Sequence, residues 1–176
     1  PGRVRNLTIV CATEHTVSLS WQPPEGNFSS YIFRIAQVPS FNGSLNVENL
    51  TIDNLTPGNF YTFYISAVVG DSFVEGDSTA ISTYMVPSAI EILIIDNVTT
   101  NSVSLSWPIP FGNISSYIIQ VLGTPSNELI VNTNYFLVDQ LIPGNYYTFI
   151  VFTIAGDMNG TKTENSTFTG MFIKEF

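Results

Sequence analysis

The 176-residue sequence predicts an all-β fold of two seven-stranded β-sandwiches in tandem. Three observations predict it. Thr16-Val-Ser-Leu-Ser-Trp21 returns 86 positions later as Ser102-Val-Ser-Leu-Ser-Trp107, each copy ending on one of the two tryptophans, and a fixed period marks a repeated unit. Each copy alternates apolar and polar residues, the pattern of a half-buried strand: Val17, Leu19 and Trp21 face one way, Ser18 and Ser20 the other. Finally, no segment sustains a helical period, and turn residues recur at the short spacing of a sandwich.

Shifted by 86, the chain aligns on itself without a gap: Leu7 on Leu93, Tyr31 on Tyr117, Leu55-Thr-Pro-Gly-Asn59 on Leu141-Ile-Pro-Gly-Asn145, Tyr61-Thr-Phe63 on Tyr147-Thr-Phe149. The expected domains are 1–86 and 87–172, with 173–176 as the start of a further linker or an arbitrary end. The chain begins at proline and has no signal peptide, so it reads as a piece of a longer protein.

In the first repeat Leu7 and Ile9 place strand A, and Thr16–Gln22 is strand B. Pro23-Pro-Glu-Gly26 forms a loop, because two prolines and a glycine cannot continue a central strand. Strand C is Ser30–Gln37 with Tyr31, Phe33 and Ile35 inward, and Pro39–Gly43 is a turn before a short edge strand near Leu45. Strand E carries Leu50 and Ile52, and strand F spans Phe60–Val69 with Tyr61, Phe63, Ile65 and Ala67 inward. Gly70–Gly76 is a loop and Thr79–Met85 is strand G. The second repeat copies this plan at +86.

Composition narrows the function. The hydrophobic share of 44 % and aromatic share of 13 % support a core in each repeat. A net charge of −9 with five basic residues excludes phosphate neutralisation, so neither nucleic acid nor an anionic membrane surface is an expected partner. Asn, Ser and Thr take the place of charge: nine Asn-X-Ser/Thr sequons begin at Asn6, Asn27, Asn42, Asn49, Asn54, Asn97, Asn113, Asn159 and Asn165. That density points to N-linked glycans and the secretory pathway. The lone cysteine, Cys11, reads as a semi-buried unpaired thiol.

These residues resemble the fibronectin type III family, an immunoglobulin-like sandwich. The resemblance rests on the strand-B tryptophans Trp21 and Trp107, the strand-C tyrosines Tyr31 and Tyr117, and Leu-X-Pro-Gly-X-X-Tyr, here Leu55, Pro57, Gly58, Tyr61 and Leu141, Pro143, Gly144, Tyr147. It implies a tyrosine corner in each repeat, whose phenol bonds back to the loop backbone. The sequon-rich repeats with Tyr-Thr-Phe followed by Gly70-Asp71 or Gly156-Asp157 are further similar to ectodomains of receptor-type tyrosine phosphatases built only of such repeats. That likeness implies a single-pass receptor whose phosphatase domain lies outside this chain.

The residues themselves carry no chemistry. His15 sits in the expected A–B turn without a nucleophile constellation, and one His with one Cys makes no zinc site. Asp71, Glu75 and Asp77 read as a solvated acidic loop rather than a calcium site. No cofactor and no metal is expected. One constellation remains. By strand parity Asn6 and Asn49 point outward from the A–B–E sheet, whereas the outward C–F face has no sequon on strand C or F. In repeat two that face presents Ile118, Leu122, Tyr146, Ile150 and Phe152, a candidate surface for a protein partner or self-association. The expected role is a semi-rigid spacer and adhesion or dimerisation segment of a cell-surface glycoprotein. The alternative is a ligand-binding module of another receptor.

Overall fold

The computed structural model describes residues 1–70, 74–123 and 128–171, and for 39–42 the backbone alone. Asp71, residues 173–176 and the side chain of Asn42 therefore lie outside the described residues. The chain separates into two compact units, Pro1–Val86 and Pro87–Phe176.

In the first unit β1 (Arg5–Ala12), β2 (Val17–Gln22) and β5 (Asn49–Ile52) form one antiparallel sheet in the order β1-β2-β5. The facing sheet runs β4 (Val38–Leu45), β3 (Ser30–Ile35), β6 (Phe60–Val69), with β7 (Val74–Glu75) and β8 (Thr79–Tyr84) both paired to β6. The alternation in the sequence becomes alternation in burial. Val17, Leu19, Trp21, Tyr31, Phe33, Ile35, Tyr61, Phe63 and Ile65 are buried in one core. Trp21 meets Tyr31 edge-on, with ring centroids 5.5 Å apart.

The second unit repeats the plan. β9 (Ile94–Val98), β10 (Val103–Ser106) and β13 (Tyr135–Val138) form one sheet. The other holds β12 (Glu128–Val131), β11 (Ser116–Leu122) and β14 (Tyr146–Ala155), with β15 (Met158–Asn159) and β16 (Thr163–Phe168) on β14. Trp107, Tyr117, Ile119, Tyr147, Phe149 and Val151 fill its core, and Trp107 lies 5.2 Å from Tyr117.

Both tyrosine corners form. The Thr56 N–H donates to the Tyr61 phenol oxygen at 3.1 Å, and the Ile142 N–H to that of Tyr147 at 2.9 Å. The corner turns on Gly58 and Gly144, whose φ of 68° and 76° a side chain would strain. Just before it, Asn54 and Gln140 both stand at φ 57°.

Three expectations are corrected. The turn assigned to Pro39–Gly43 is part of β4, and the chain reverses earlier, at Ala36-Gln37; an edge strand tolerates proline because one side of its backbone needs no partner. Cys11 is exposed rather than semi-buried, because a register shift between Ile9 and Cys11 breaks the inward parity of β1. The 86-residue period also fails after strand F. Val69 pairs Val74 across four residues, whereas Ala155 pairs Met158 across only Gly156-Asp157. From there the period is 84. Phe60 pairs Tyr84 where Tyr146 pairs Phe168, and the Thr79 hydroxyl reaches the Val4 carbonyl where Thr163 reaches that of Ile90.

Candidate interaction face and sequon placement

Cross-strand register fixes which outward side chains share a row on the β12-β11-β14-β16 sheet. One row is Ile130-Ile118-Phe152. The next is Glu128-Gln120-Ile150-Glu164, followed by Leu122-Thr148-Ser166, and Tyr146-Phe168 closes the sheet. The five expected residues do share this face, but not evenly. Leu122 and Tyr146 are 54 % and 55 % exposed, Ile118 and Phe152 are half-buried, and Ile150 is only 6 % exposed. Ile150 stands between two long polar neighbours, Gln120 and Glu164, which bond Glu128 at 2.6 Å and Lys162 at 2.8 Å. The face is therefore two apolar ends separated by a polar band.

Two members escaped the sequence. Ile130 is 71 % exposed on β12, the counterpart of the edge strand expected near Leu45, whose outward residues the sequence reading did not assign. Phe168 is 61 % exposed and packs on Tyr146 with ring centroids 4.8 Å apart. A gapless +86 shift hid Phe168, because it set that residue against the polar Ser82; at +84 it falls on Tyr84, which packs on Phe60 at the same 4.8 Å.

The first unit closes the same face with charge. Arg34 makes a double ion pair with Glu75, Nη2 to Oε2 at 2.7 Å and Nη1 to Oε1. The Arg34 guanidinium holds the Glu75 carboxyl down at about 2. Ser66 is fully buried and its hydroxyl meets that of Ser78 at 2.9 Å. Asp77 pairs with Arg3 at 3.3 Å, so Glu75 and Asp77 each face a cation. No group of three His, Cys, Asp or Glu side chains stands together among the described residues. His15 is exposed, its Nδ1 lying 3.1 Å from the Leu55 carbonyl oxygen.

Sequons fall mainly outside the cores. Asn6, Asn27, Asn49, Asn54, Asn97, Asn113 and Asn159 are exposed. Asn97 shares a row with Ser104 and exposed Leu137 on the β9-β10-β13 sheet. Asn159, expected in a loop, lies in β15 opposite Ile154. That places a sequon on the outward face of the β11-β14 sheet, two residues along β14 past Phe152's row. The end at Tyr146 is eight residues away along β14, about 27 Å. Asn42 pairs Arg34 by register, so a sequon also sits on β4 of the first unit. Asn165 differs from the rest. It pairs Phe149 on the inward side of β16, is half-buried, and its Nδ2 donates to the Leu93 carbonyl at 2.8 Å.

Two antiparallel sheets per unit, a tryptophan–tyrosine core and a tyrosine corner define tandem sandwich modules of the immunoglobulin-like type. The family model for the fibronectin type III domain matches residues 2–83 and 88–169, and the chain belongs to that family. The fold of these modules is non-catalytic. Among relatives, the chain is 32 % identical over 172 residues to chicken (Gallus gallus) receptor-type tyrosine-protein phosphatase eta, covering 94 % of this chain and 12 % of that protein. It is 28 % identical over 179 residues to human receptor-type tyrosine-protein phosphatase H (95 % and 16 %) and 29 % identical over 172 residues to human tenascin-R (92 % and 12 %). The chain thus spans less than a fifth of the length of these relatives. A solved two-domain fibronectin type III segment of chicken tenascin has the same fold, with a TM-score of 0.69 at 20 % identity, covering 94 % of this chain and 99 % of that one.

Proposed function

We propose that these two repeats are a non-catalytic extracellular segment of a cell-surface glycoprotein of the receptor-type tyrosine phosphatase kind. In this reading they act as a spacer and as an adhesion or dimerisation surface. The observation that carries the reading is the 32 % likeness to the receptor-type phosphatase eta along 94 % of the chain. The exposed sequons support the compartment, since N-linked sugars are added in the secretory pathway. No helix of the described residues is long and apolar enough to cross a membrane; in this reading the membrane anchor and the phosphatase domain lie elsewhere in the parent.

For the contact surface, the supporting observation is the cluster Leu122, Tyr146 and Phe168, apolar, exposed and remote from Asn159. A second copy of the chain is the partner this reading favours; a soluble protein ligand is the alternative. Reading the parent transcript downstream of Phe176 tests the class: a membrane span followed by a phosphatase domain is expected, and a secreted parent with no span overturns it. Loss of a soluble ligand's binding in Tyr146→Ser, with no self-association in the parent, favours the alternative.

A further inference from the structure

The loop between β10 and β11 ends the second unit in a cleft of about 270 Å³, lined by Ile109, Gly112, Asn113, Ser115, Tyr117 and Asn132 among others. Asn113 is a sequon asparagine, so the acceptor of a glycan lies in the wall of a cavity. Ile109, which lines the cleft, and Phe111, which stands outside the lining two residues before Asn113, are 73 % and 72 % exposed. Gly112 at φ 93° turns the chain between Phe111 and Asn113, a conformation that the Cβ of any other residue would strain.

The first unit shows what this loop does without such residues. Pro23 and Glu25 occupy the places of Ile109 and Phe111, and both are tied to Arg5: Nε to the Pro23 carbonyl at 3.0 Å, Nη1 to the Glu25 carboxylate at 3.4 Å. In the second unit Glu91 stands where Arg5 was, and the loop has exchanged a polar tether for two exposed apolar side chains. The sequon serine is anchored alike in both units, Ser29 to the Val68 carbonyl and Ser115 to the Ile154 carbonyl, so the loops share a base and differ at the tip.

We propose that the cleft seats the first N-acetylglucosamine of the glycan on Asn113, with Ile109 in its wall and Phe111 closing over the apolar face of the sugar. A pyranose ring presents a face of C–H groups that stacks on an aromatic ring, while its N-acetyl and hydroxyl groups need amide partners such as Asn132. Covering Phe111 and Ile109 removes apolar surface from water, and an aromatic contact of this kind is worth a measurable fraction of domain stability.

The inference rests on the glycoprotein reading. The experiment is thermal unfolding of the protein secreted from a glycosylating host, in a cycle of Phe111→Ser and Ile109→Ser with and without Asn113→Gln, beside site-by-site glycan mass spectrometry. With Asn113 occupied, Phe111→Ser is expected to lower the second unit's Tm by about 3–6 °C, and by less than about 1 °C in the Asn113→Gln background. Upfield-shifted sugar protons, lost in Phe111→Ser, are expected in the NMR spectrum. Equal shifts in both backgrounds, or sugar protons at free-glycan positions, overturn the cleft while leaving the glycoprotein reading intact. A bare Asn113 among other occupied sequons likewise overturns the cleft alone. No glycan at any sequon overturns both.

Discussion

The two repeats share a core and differ in what they show to solvent. Trp21 and Trp107, Tyr31 and Tyr117, and the two tyrosine corners superimpose in role and nearly in distance. Above the C–F strands the first repeat sets an Arg34–Glu75 ion pair, and the second sets Gln120 and Ile150 between two apolar ends. At the B–C loop the first ties Glu25 to Arg5 while the second exposes Phe111. The interior conserves packing, which a sandwich cannot vary cheaply, and the outer faces are where one scaffold acquires separate uses.

The largest blow to the shared core is expected to be equal in both halves. Trp21→Ala and Trp107→Ala should each cost about 3–5 kcal/mol, the void and lost transfer energy of a buried indole, seen in denaturant unfolding as loss of one repeat's transition. Tyr61→Phe and Tyr147→Phe sharpen the parallel: each strips one acceptor from a loop N–H, at about 1 kcal/mol. A marked inequality between the two would break it.

Smaller changes should separate the repeats. Asn54 and Gln140 occupy the same left-handed position, which suits asparagine and strains glutamine. Gln140→Asn should therefore stabilise the second repeat by about 0.5–1 kcal/mol, while Asn54→Gln destabilises the first. Asn165 is to show the lowest glycan occupancy of the sequons other than Asn42, because it alone of these is half-buried, on the inward side of β16, with its amide nitrogen bonded to the Leu93 carbonyl. Asn165→Ala should cost about 1 kcal/mol, whereas Thr167→Ala, which removes the sequon and a long 3.3 Å hydroxyl bond to the Phe168 carbonyl but leaves Asn165 bonded to Leu93, should cost less.

The smallest effect is a pH dependence confined to the first repeat. Glu75 is held at about 2, mainly by its hydrogen bonds from Arg34. A carboxyl with a lowered native pKa contributes stability above its ordinary value, lost as pH falls from about 4.5 towards 2. Both partners are partly solvated, so the loss should stay near 0.5 kcal/mol. Glu75→Gln should abolish it, and the second repeat, with Gln120 in place of Arg34, should lack it. At the other extreme Tyr31, pushed up to about 12 by burial and then by Glu48, keeps its phenol protonated in the fold. Its contribution is intact below pH 10 and lost between about 10 and 12.

Much of this architecture was legible in the chain because strand burial has period two: the alternation at Val17-Leu19-Trp21 and Tyr61-Phe63-Ile65 reports the core directly. The exact span of strand F, Phe60–Val69, could be read for the same reason. What escaped depends on register rather than on alternation. A two-residue difference in the hairpin after strand F leaves parity intact but moves every partner on strand G, which hid Phe168. The bulge before Cys11 and the positions of Asn159 and Asn165 are likewise pairing facts. Ile150 was assigned to the right face, but alternation along β14 does not report its cross-strand neighbours Gln120 and Glu164, which lie on other strands.

The most direct test of the specialised second repeat is sedimentation equilibrium of the glycosylated protein, with reductant present because Cys11 is exposed. The parent is to be compared with Leu122→Ser/Tyr146→Ser/Phe168→Ser and with the matching first-repeat change Phe60→Ser/Tyr84→Ser. Reversible self-association that survives the first-repeat change and disappears with the second-repeat change is the predicted result. A monomer in all three, or equal loss from either change, would contradict it.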